Sequence, residues 1–289
     1  MKSTLISAAL LLASAAAGFA QAQRHPLAAV FGSAMAASLA VTDSTPVSTQ
    51  ILNATGEDAT VSQNTWVEIK GSNLSQTTRI WAGDDFVNGQ MPTSLDNVSA
   101  TVDGKPAYIY YVSPVQINIL TPLDSSTGTV PVQVTTALGS TPVTTVKMQA
   151  NSLGFFAFNS DKYAAGTHGN GDCVNVNNDT CYLGPTSLYP GLTTPARPGE
   201  TIVLYANGFG LVNTPITPGS PTQFGPLPTM PVVTIGGLPC QVIFAGLVAP
   251  GQFQFNLVVP AAAPDGDNAL SATYNGFTSH PGVFVTVQH

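Results

Sequence analysis

The sequence predicts an all-β protein built as two tandem antiparallel β-sandwiches. Three observations carry this reading. Short runs rich in β-branched and aromatic residues alternate apolar with polar, and each is bounded by Gly, Pro, Asn or Asp. No window after about residue 45 holds an apolar stripe of helical period and length. The chain also repeats itself: DGKPAYIYYVSPVQINILTP begins at Asp103 and GGLPCQVIFAGLVAPGQFQFNLVVP at Gly236. Two units of roughly 100 residues suit two sandwiches in a chain of 289 residues.

The elements follow in order. Lys2, the apolar run LISAALLLASAAAGFA and the small residues Ala20 to Ala22 have the layout of a secretory signal peptide over residues 1–22. The run is short for a membrane span. No cysteine lies near the cleavage site, so no lipid anchor is expected. A second apolar stretch from Leu27 leaves open a later cleavage, near Ala34 or Ala36, or a short helix; residues 23–45 are otherwise linker. The first sandwich is expected over 46–158. In TWVEIKG, Trp66 and Val67 face opposite ways. NVSATVDG ends in an Asp-Gly turn, AYIYYV and QINIL flank a Ser-Pro bend, and TVPVQVTTALG pairs with TPVTTVKMQA around Leu138-Gly139. The second sandwich is expected over 195–289. There ETIVLYANG matches NTWVEIKGS, CQVIFAG matches AYIYYV, and FQFNLVVP matches QINILTP. Residues 159–194 do not repeat and read as an irregular insert, preceded by GFFAF as a strand or a plug between the two units.

Charged residues make up 8% of the chain and the net charge is −7. With no basic patch to neutralise phosphates, nucleic acid is not an expected partner. Abundant Val, Ile, Leu, Phe and Tyr argue against disorder. Of the three cysteines, Cys173 and Cys181 are close in sequence and are expected to form a disulfide in an exported protein. Cys240 falls in an apolar strand and reads as a buried thiol.

The set WVEIKGSNL, MPTSLDNVSATVDGKPAYIYYVSPVQINILTP and GTVPVQVTTALGS, followed by ARPGETIVLYANGFGLVN and VTIGGLPCQVIFAGLVAPGQFQFNLVVP, resembles a known family. It is the Solibacter uncharacterised C-terminal domain, a repeated module of secreted acidobacterial proteins that is similar to IPT/TIG immunoglobulin-like modules. The likeness covers about residues 45–158 and 195–288. The segment Tyr163 to Thr193, with its cysteine pair, departs from the pattern. The resemblance implies immunoglobulin-like sandwiches and an exported, bacterial location, secreted or at the cell surface. It implies no catalytic residues.

Repeated residues have structural readings. Gly104 and Gly237 permit turn conformations, and Pro114 and Pro250 break strands at bends. Gln116 and Asn118, like Gln254 and Asn256, lie two apart and so share a face. Their amides either fix the sandwich edge or form a polar strip for a ligand.

Candidate chemistry is sparse. Of the four histidines, His168 and His280 are credible bases and neither has a nucleophile nearby in sequence; His25 and His289 lie near the chain ends. Nucleophile-elbow, metalloprotease and phosphate-loop motifs are absent from the sequence. Asp172, Asn175, Asn177 and Asp179 supply oxygens for a calcium loop, with a disulfide-stapled turn as the alternative. No other cofactor is expected. Trp81 beside Asp84 and Asp85 is a possible glycan contact, within a platform including Trp66, Tyr108, Tyr110 and Tyr111; Trp66 itself reads as core. The leading function is a non-catalytic exported module for adhesion, scaffolding or display. A carbohydrate-binding module is the alternative, and a hydrolase the third class. Expected partners are extracellular proteins or polysaccharide, with no membrane span once the leader is removed. Exposed aromatics in a line would favour carbohydrate binding, and buried ones a structural role.

Overall fold

The computed structural model describes residues 44–56, 58–158, 162–169 and 182–289. The expected leader, His25, the Cys173–Cys181 pair and the oxygen set Asp172, Asn175, Asn177 and Asp179 lie outside the described residues.

The first half runs β1 (Val47–Asn53), β2 (Thr60–Val61), β3 (Trp66–Ser72), β4 (Arg79–Ile80), a 3-10 turn at Gly83–Asp85, β5 (Ser94–Leu95) and β6 (Val98–Val102). It continues with β7 (Lys105–Pro106), β8 (Tyr108–Val112), β9 (Gln116–Leu120), β10 (Gly128–Thr136), β11 (Gly139–Ser140) and β12 (Thr144–Met148). Two sheets result, ordered β1-β3-β9-β8-β4 and β2-β12-β10-β6-β5, with β7 on β6 and β11 on β10. Period-two alternation sends Val67, Ile69, Ile109, Ile117, Ile119 and Val134 between the sheets, all at 1% exposure or less. Each such side chain contributes roughly 1.5–3 kcal/mol of burial.

The second half opens with β13 (Gly154–Phe155), β14 (Ala157–Phe158), β15 (Tyr163–Ala164), β16 (Gly166–His168), β17 (Tyr182–Leu183) and β18 (Thr193–Thr194). Then come β19 (Thr201–Asn207), β20 (Gly225–Pro226), β21 (Val232–Ile235), β22 (Leu238–Pro239), β23 (Gln241–Ala249) and β24 (Gln252–Val258). β25 (Gly266–Tyr274), β26 (Phe277–Thr278) and β27 (Phe284–Val287) close it. Its sheets are β18-β17-β16-β19-β24-β23-β20, with β13 on β19, and β14-β15-β27-β25-β21-β22, with β26 on β25. Phe155, Phe209, Phe253 and Phe255 fill the core between them at 1% exposure or less.

The repeat is visible strand by strand. Asp103-Gly104 (φ 51° and 72°) and Gly236-Gly237 (φ 61° and 79°) turn equivalent hairpins, both residues left-handed as a two-residue turn requires. Both β8 and β23 carry a bulge against the next strand, the register shifting between Ile109 and Tyr111 and between Val242 and Phe244. One length differs. Four residues (113–116) join the paired Val112 and Ile117, whereas nine (246–254) join Ala245 and Phe255, so the second hairpin reaches further.

Two features differ from the sequence reading. Gly154–Phe155 pairs with Asn207 and Ala206 of β19, and Phe155 lies in the second core, so this segment adds to the second half. The described part of the insert is likewise strand: β16 pairs with β19, and β17 and β18 extend that sheet. Periodicity gave no warning, because these strands are two or three residues long. Cys240 sits half-buried between β22 and β23, packed on the second core. Its thiol is pushed up to about 12 by burial.

Candidate functional site

The two halves meet end to outer face. Trp66 and Leu120 pair across β3 and β9 on the side away from the first core. The tip of the β23–β24 hairpin rests on them: the Trp66 indole N–H donates to the Pro250 carbonyl at 2.8 Å. A Cβ on Gly251 would stand 2.6 Å from Leu120 and 2.9 Å from Trp66, so only glycine fits at that approach, and its φ is 65°. Asn207, fully buried at the end of β19, completes the join. Its amide donates to Asn53 Oδ1 (3.0 Å) and the Trp66 carbonyl (2.9 Å), and its Oδ1 accepts the Trp66 backbone N–H (3.0 Å). The Met91 N–H donates to Gly219 O, and the Asn64 amide to Gln223 Oε1, both at 2.8 Å.

Aromatic rings fill this seam. Trp66 lies edge-on to Trp81 (6.0 Å) and Tyr110 (5.5 Å), and Trp81 lies edge-on to Tyr110 (5.0 Å) and Phe86 (5.1 Å). From the other half come Phe156, Phe158, Tyr182, Tyr189 and Tyr205. Burial pushes the Tyr110 phenol up to about 12 and raises those of Tyr108, Tyr189 and Tyr205. Trp66 is therefore buried, but in the seam rather than between the sheets, where Val67 lies. Trp81, expected in a polar loop, is partly buried with its ring held among three others.

The neighbouring carboxylates divide. Asp84 is exposed. Asp85 accepts two bonds from Arg79, at 2.7 and 3.0 Å, and one from the Ala82 N–H at 2.6 Å. Asp96 takes the other side of the same guanidinium, at 2.7 Å from Nη2 and 3.0 Å from Nε. Hydrogen bonds from Arg79 hold both carboxyls below their ordinary range, and the two carboxylates hold the guanidinium above its own. The Trp81, Asp84 and Asp85 group thus offers one uncommitted carboxylate rather than a pair.

The amide pairs are real units in both halves. Gln116 Nε2 donates to Asn118 Oδ1 at 2.7 Å, and Gln254 Nε2 to Asn256 Oδ1 at 2.8 Å. They lie beside Lys70 and Glu68, and beside Tyr205 and Val203, respectively. Gln116 and Asn118 are buried at 8% and 7% exposure, so the first pair braces the sheet face.

His168 is better partnered than its sequence context suggests. Its Nδ1 meets Glu200 Oε1 in a short contact, and its Nε2 lies 2.9 Å from Thr194 Oγ1. Glu200 Oε2 accepts the Arg197 N–H at 2.8 Å. With the imidazole side chain 7% exposed, the chain of bonds ties β16, β18 and the entry to β19 together. His280 pairs with Asp58 at 2.9 Å, and His289 with Asp265 at 2.8 Å. Among the described residues no group of three His, Cys, Asp or Glu side chains is placed to hold a metal ion. Nor, among them, is any helix long and apolar enough to cross a membrane.

Residues 49–149 match the IPT/TIG domain family. The first sandwich contains an IPT/TIG domain. No curated protein matches the chain. Similar solved structures include the SGBP-B of a Bacteroides ovatus mixed-linkage glucan utilization locus in complex with a mixed-linkage heptasaccharide. It is 13% identical over 86% of this chain and 46% of that one, with a TM-score of 0.34. The full extracellular region of Plexin A4 matches at 12% identity over 90% of this chain and 17% of that one, with a TM-score of 0.28. The surface glycan-binding protein PbSGBP-B of Prevotella bryantii matches at 10% identity over 82% and 41%, with a TM-score of 0.22. This IPT/TIG-containing chain spans less than half the length of each of these three.

Sequence reasoning named Trp66, Trp81, Tyr108, Tyr110 and Tyr111 as a group, and the structure brings Trp66, Trp81 and Tyr110 into ring contact. It missed Tyr182, Tyr189 and Tyr205, which reach the seam from the other half across long sequence separations. The doubled hairpin motif was the available signal, since the longer second copy is the part that docks.

Proposed function

We propose that the protein is a non-catalytic, exported module that presents a stiff pair of immunoglobulin-like sandwiches at or outside the cell surface, for scaffolding or display. One observation carries this: the aromatic residues that would make a binding platform are engaged in the seam joining the two halves. Trp66 and Tyr110 are 4% and 8% exposed, and Trp81 is wedged against both. Side chains committed to a fixed interdomain contact rigidify the particle; they are not open to ligand.

The leader-like first 22 residues support export, and low charge suits an extracellular β-protein. The motifs quoted from the sequence support the finer assignment to repeated modules of the Solibacter C-terminal type. We place the boundary between the sandwiches near residue 150, because Leu153 and Phe155 already pack in the second core.

The test is twofold. Protease treatment of intact cells of the source bacterium should digest the protein without lysis. The purified mature chain should unfold in one cooperative transition and scatter X-rays as one rigid elongated body. Protection until lysis, or two independent transitions from freely hinged beads, refutes this function.

A further inference from the structure

We propose that the loops at the free end of the first sandwich bind a neutral saccharide. β3 runs from Trp66, in the seam, to Ser72 at the opposite end. Beyond it the β3–β4 loop, the β5–β6 turn and the β10–β11 turn enclose a cavity of about 320 Å³, lined by Ser75, Gln76, Thr77, Asp96, Asn97 and Leu138 among others. That volume falls at the lower end of small-molecule sites. The matching end of the second sandwich, at Asn207 and the long hairpin, is buried in the seam, so the repeat leaves this end open in the first sandwich alone.

The lining chemistry selects the ligand class. Hydroxyls and amides dominate, and each amide carries a donor and an acceptor in one plane, matching neighbouring sugar hydroxyls. The side chains of Gln76 and Asn97 are exposed and make no hydrogen bond within the described residues. The single lining carboxylate, Asp96, is already held by Arg79 and by the Thr77 hydroxyl. It leaves neither a bare anion for a cation nor a free guanidinium for an anion. Leu138, 42% exposed, supplies an apolar wall for the C–H face of a sugar ring.

The loops are also fixed in advance. Asn73, Asp96 and Asn97 hold left-handed backbone at φ 55°, 49° and 63°. The Thr77 N–H donates to Ser75 Oγ at 3.1 Å, and the Leu138 N–H to Thr136 Oγ1 at 3.0 Å. A pre-ordered site loses less conformational freedom on binding.

The experiment titrates the isotope-labelled mature chain with neutral gluco-, xylo- and mannohexaoses and, separately, with an acidic galacturonan oligomer, reading backbone amide shifts. At least one neutral hexaose should shift residues 73–77, 96–98 and 136–138 together, while the acidic oligomer leaves them unmoved. Gln76→Ala and Asn97→Gly, the glycine keeping the left-handed backbone at that turn, should each weaken that binding about tenfold, the loss expected for one to two hydrogen bonds. Their melting temperatures should stay unchanged, and Thr129→Ala, outside the cavity, should bind as the parent does. Silence of these amides toward every neutral hexaose at millimolar concentration overturns the proposal. So does an equal response to the acidic oligomer, or a response confined to Trp81 and Tyr111. None of these results bears on the stiffness or location of the two-sandwich body, which is measured independently.

Discussion

Replacing Asn207 by Ala tests the join between the sandwiches at its most committed residue. The change deletes two donated bonds and one accepted bond. The Trp66 carbonyl keeps the Ala54 N–H, and Asn53 Oδ1 keeps Thr55, so these two acceptors remain satisfied. Each lost bond to them costs about 0.5–1.5 kcal/mol. The Trp66 N–H is different: it is buried and loses its partner, at a further cost of about 1–3 kcal/mol. The sum is roughly 2–6 kcal/mol, and a water entering the hole favours the lower half. Differential scanning calorimetry should show the melting temperature falling by about 5–15 °C, given roughly 2–4 °C per kcal/mol for a chain of this size. Tryptophan emission should shift red early in a urea titration, because Trp66 reports on the seam. Asn207→Asp should cost at least as much, since a carboxylate would face Asn53 Oδ1 and the Trp66 carbonyl. A change below about 1 kcal/mol, with unaltered emission, refutes the reasoning that this amide holds the halves together.

Further outcomes follow from other contacts. Gly251→Ala should loosen the seam without unfolding either core, because its Cβ meets Trp66 and Leu120; faster acrylamide quenching of Trp66 would show it, and unchanged quenching would count against it. At Asp124, burial pushes the carboxyl up, but Lys105 and Ser126 outweigh it and hold the group at about 2, below the ordinary carboxylate value. Its contribution is therefore full above pH ~4 and lost as pH falls toward 2. Lys105→Met should destabilise by about 1–3 kcal/mol at pH 7, because it leaves the buried Asp124 carboxylate without its half-exposed cation, and far less near pH 2, and an equal loss at both pH values would contradict the pairing. Arg79→Ala releases two lowered carboxylates, so the variant should lose less stability than the parent on acidification below pH ~4, by thermal melts across that range. Cys240, its thiol pushed up to about 12, should react with an aromatic disulfide reagent at pH 8 only after unfolding; rapid native reaction would show an open site.

Much of the architecture is legible in sequence because it rests on period two. Val67 against Trp66, the paired turns at Asp103-Gly104 and Gly236-Gly237, and the Gln-x-Asn pairs all follow from alternation and turn chemistry. What alternation leaves open is which outer face becomes covered. Trp66 reads as core on hydrophobicity alone, yet its partner is a hairpin tip almost two hundred residues later. Phe155 changes sandwiches because a two-residue strand pairs wherever an edge is open, as β19 was. Asp85 looks free beside Asp84 until Arg79 and Asp96 are seen to close around it. Thr194 meets His168 through a parallel pairing of short strands that leaves no periodic trace.

The unequal hairpins carry a consequence for assembly. A contact between one module's tip and the next module's outer face is heterologous, and such contacts, repeated in identical units, close into rings or run on into fibres. Among the described residues the long tip occurs once, at Pro250-Gly251, and the tryptophan-lined receptor once, around Trp66, Trp81 and Tyr110. At the bulge matching Tyr110 the second module carries Ile243, half exposed and without the aromatic bed. Tip and receptor satisfy each other inside a single chain. With Ile243 where the first module has Tyr110, the second module does not present the same ring-lined surface to a further tip.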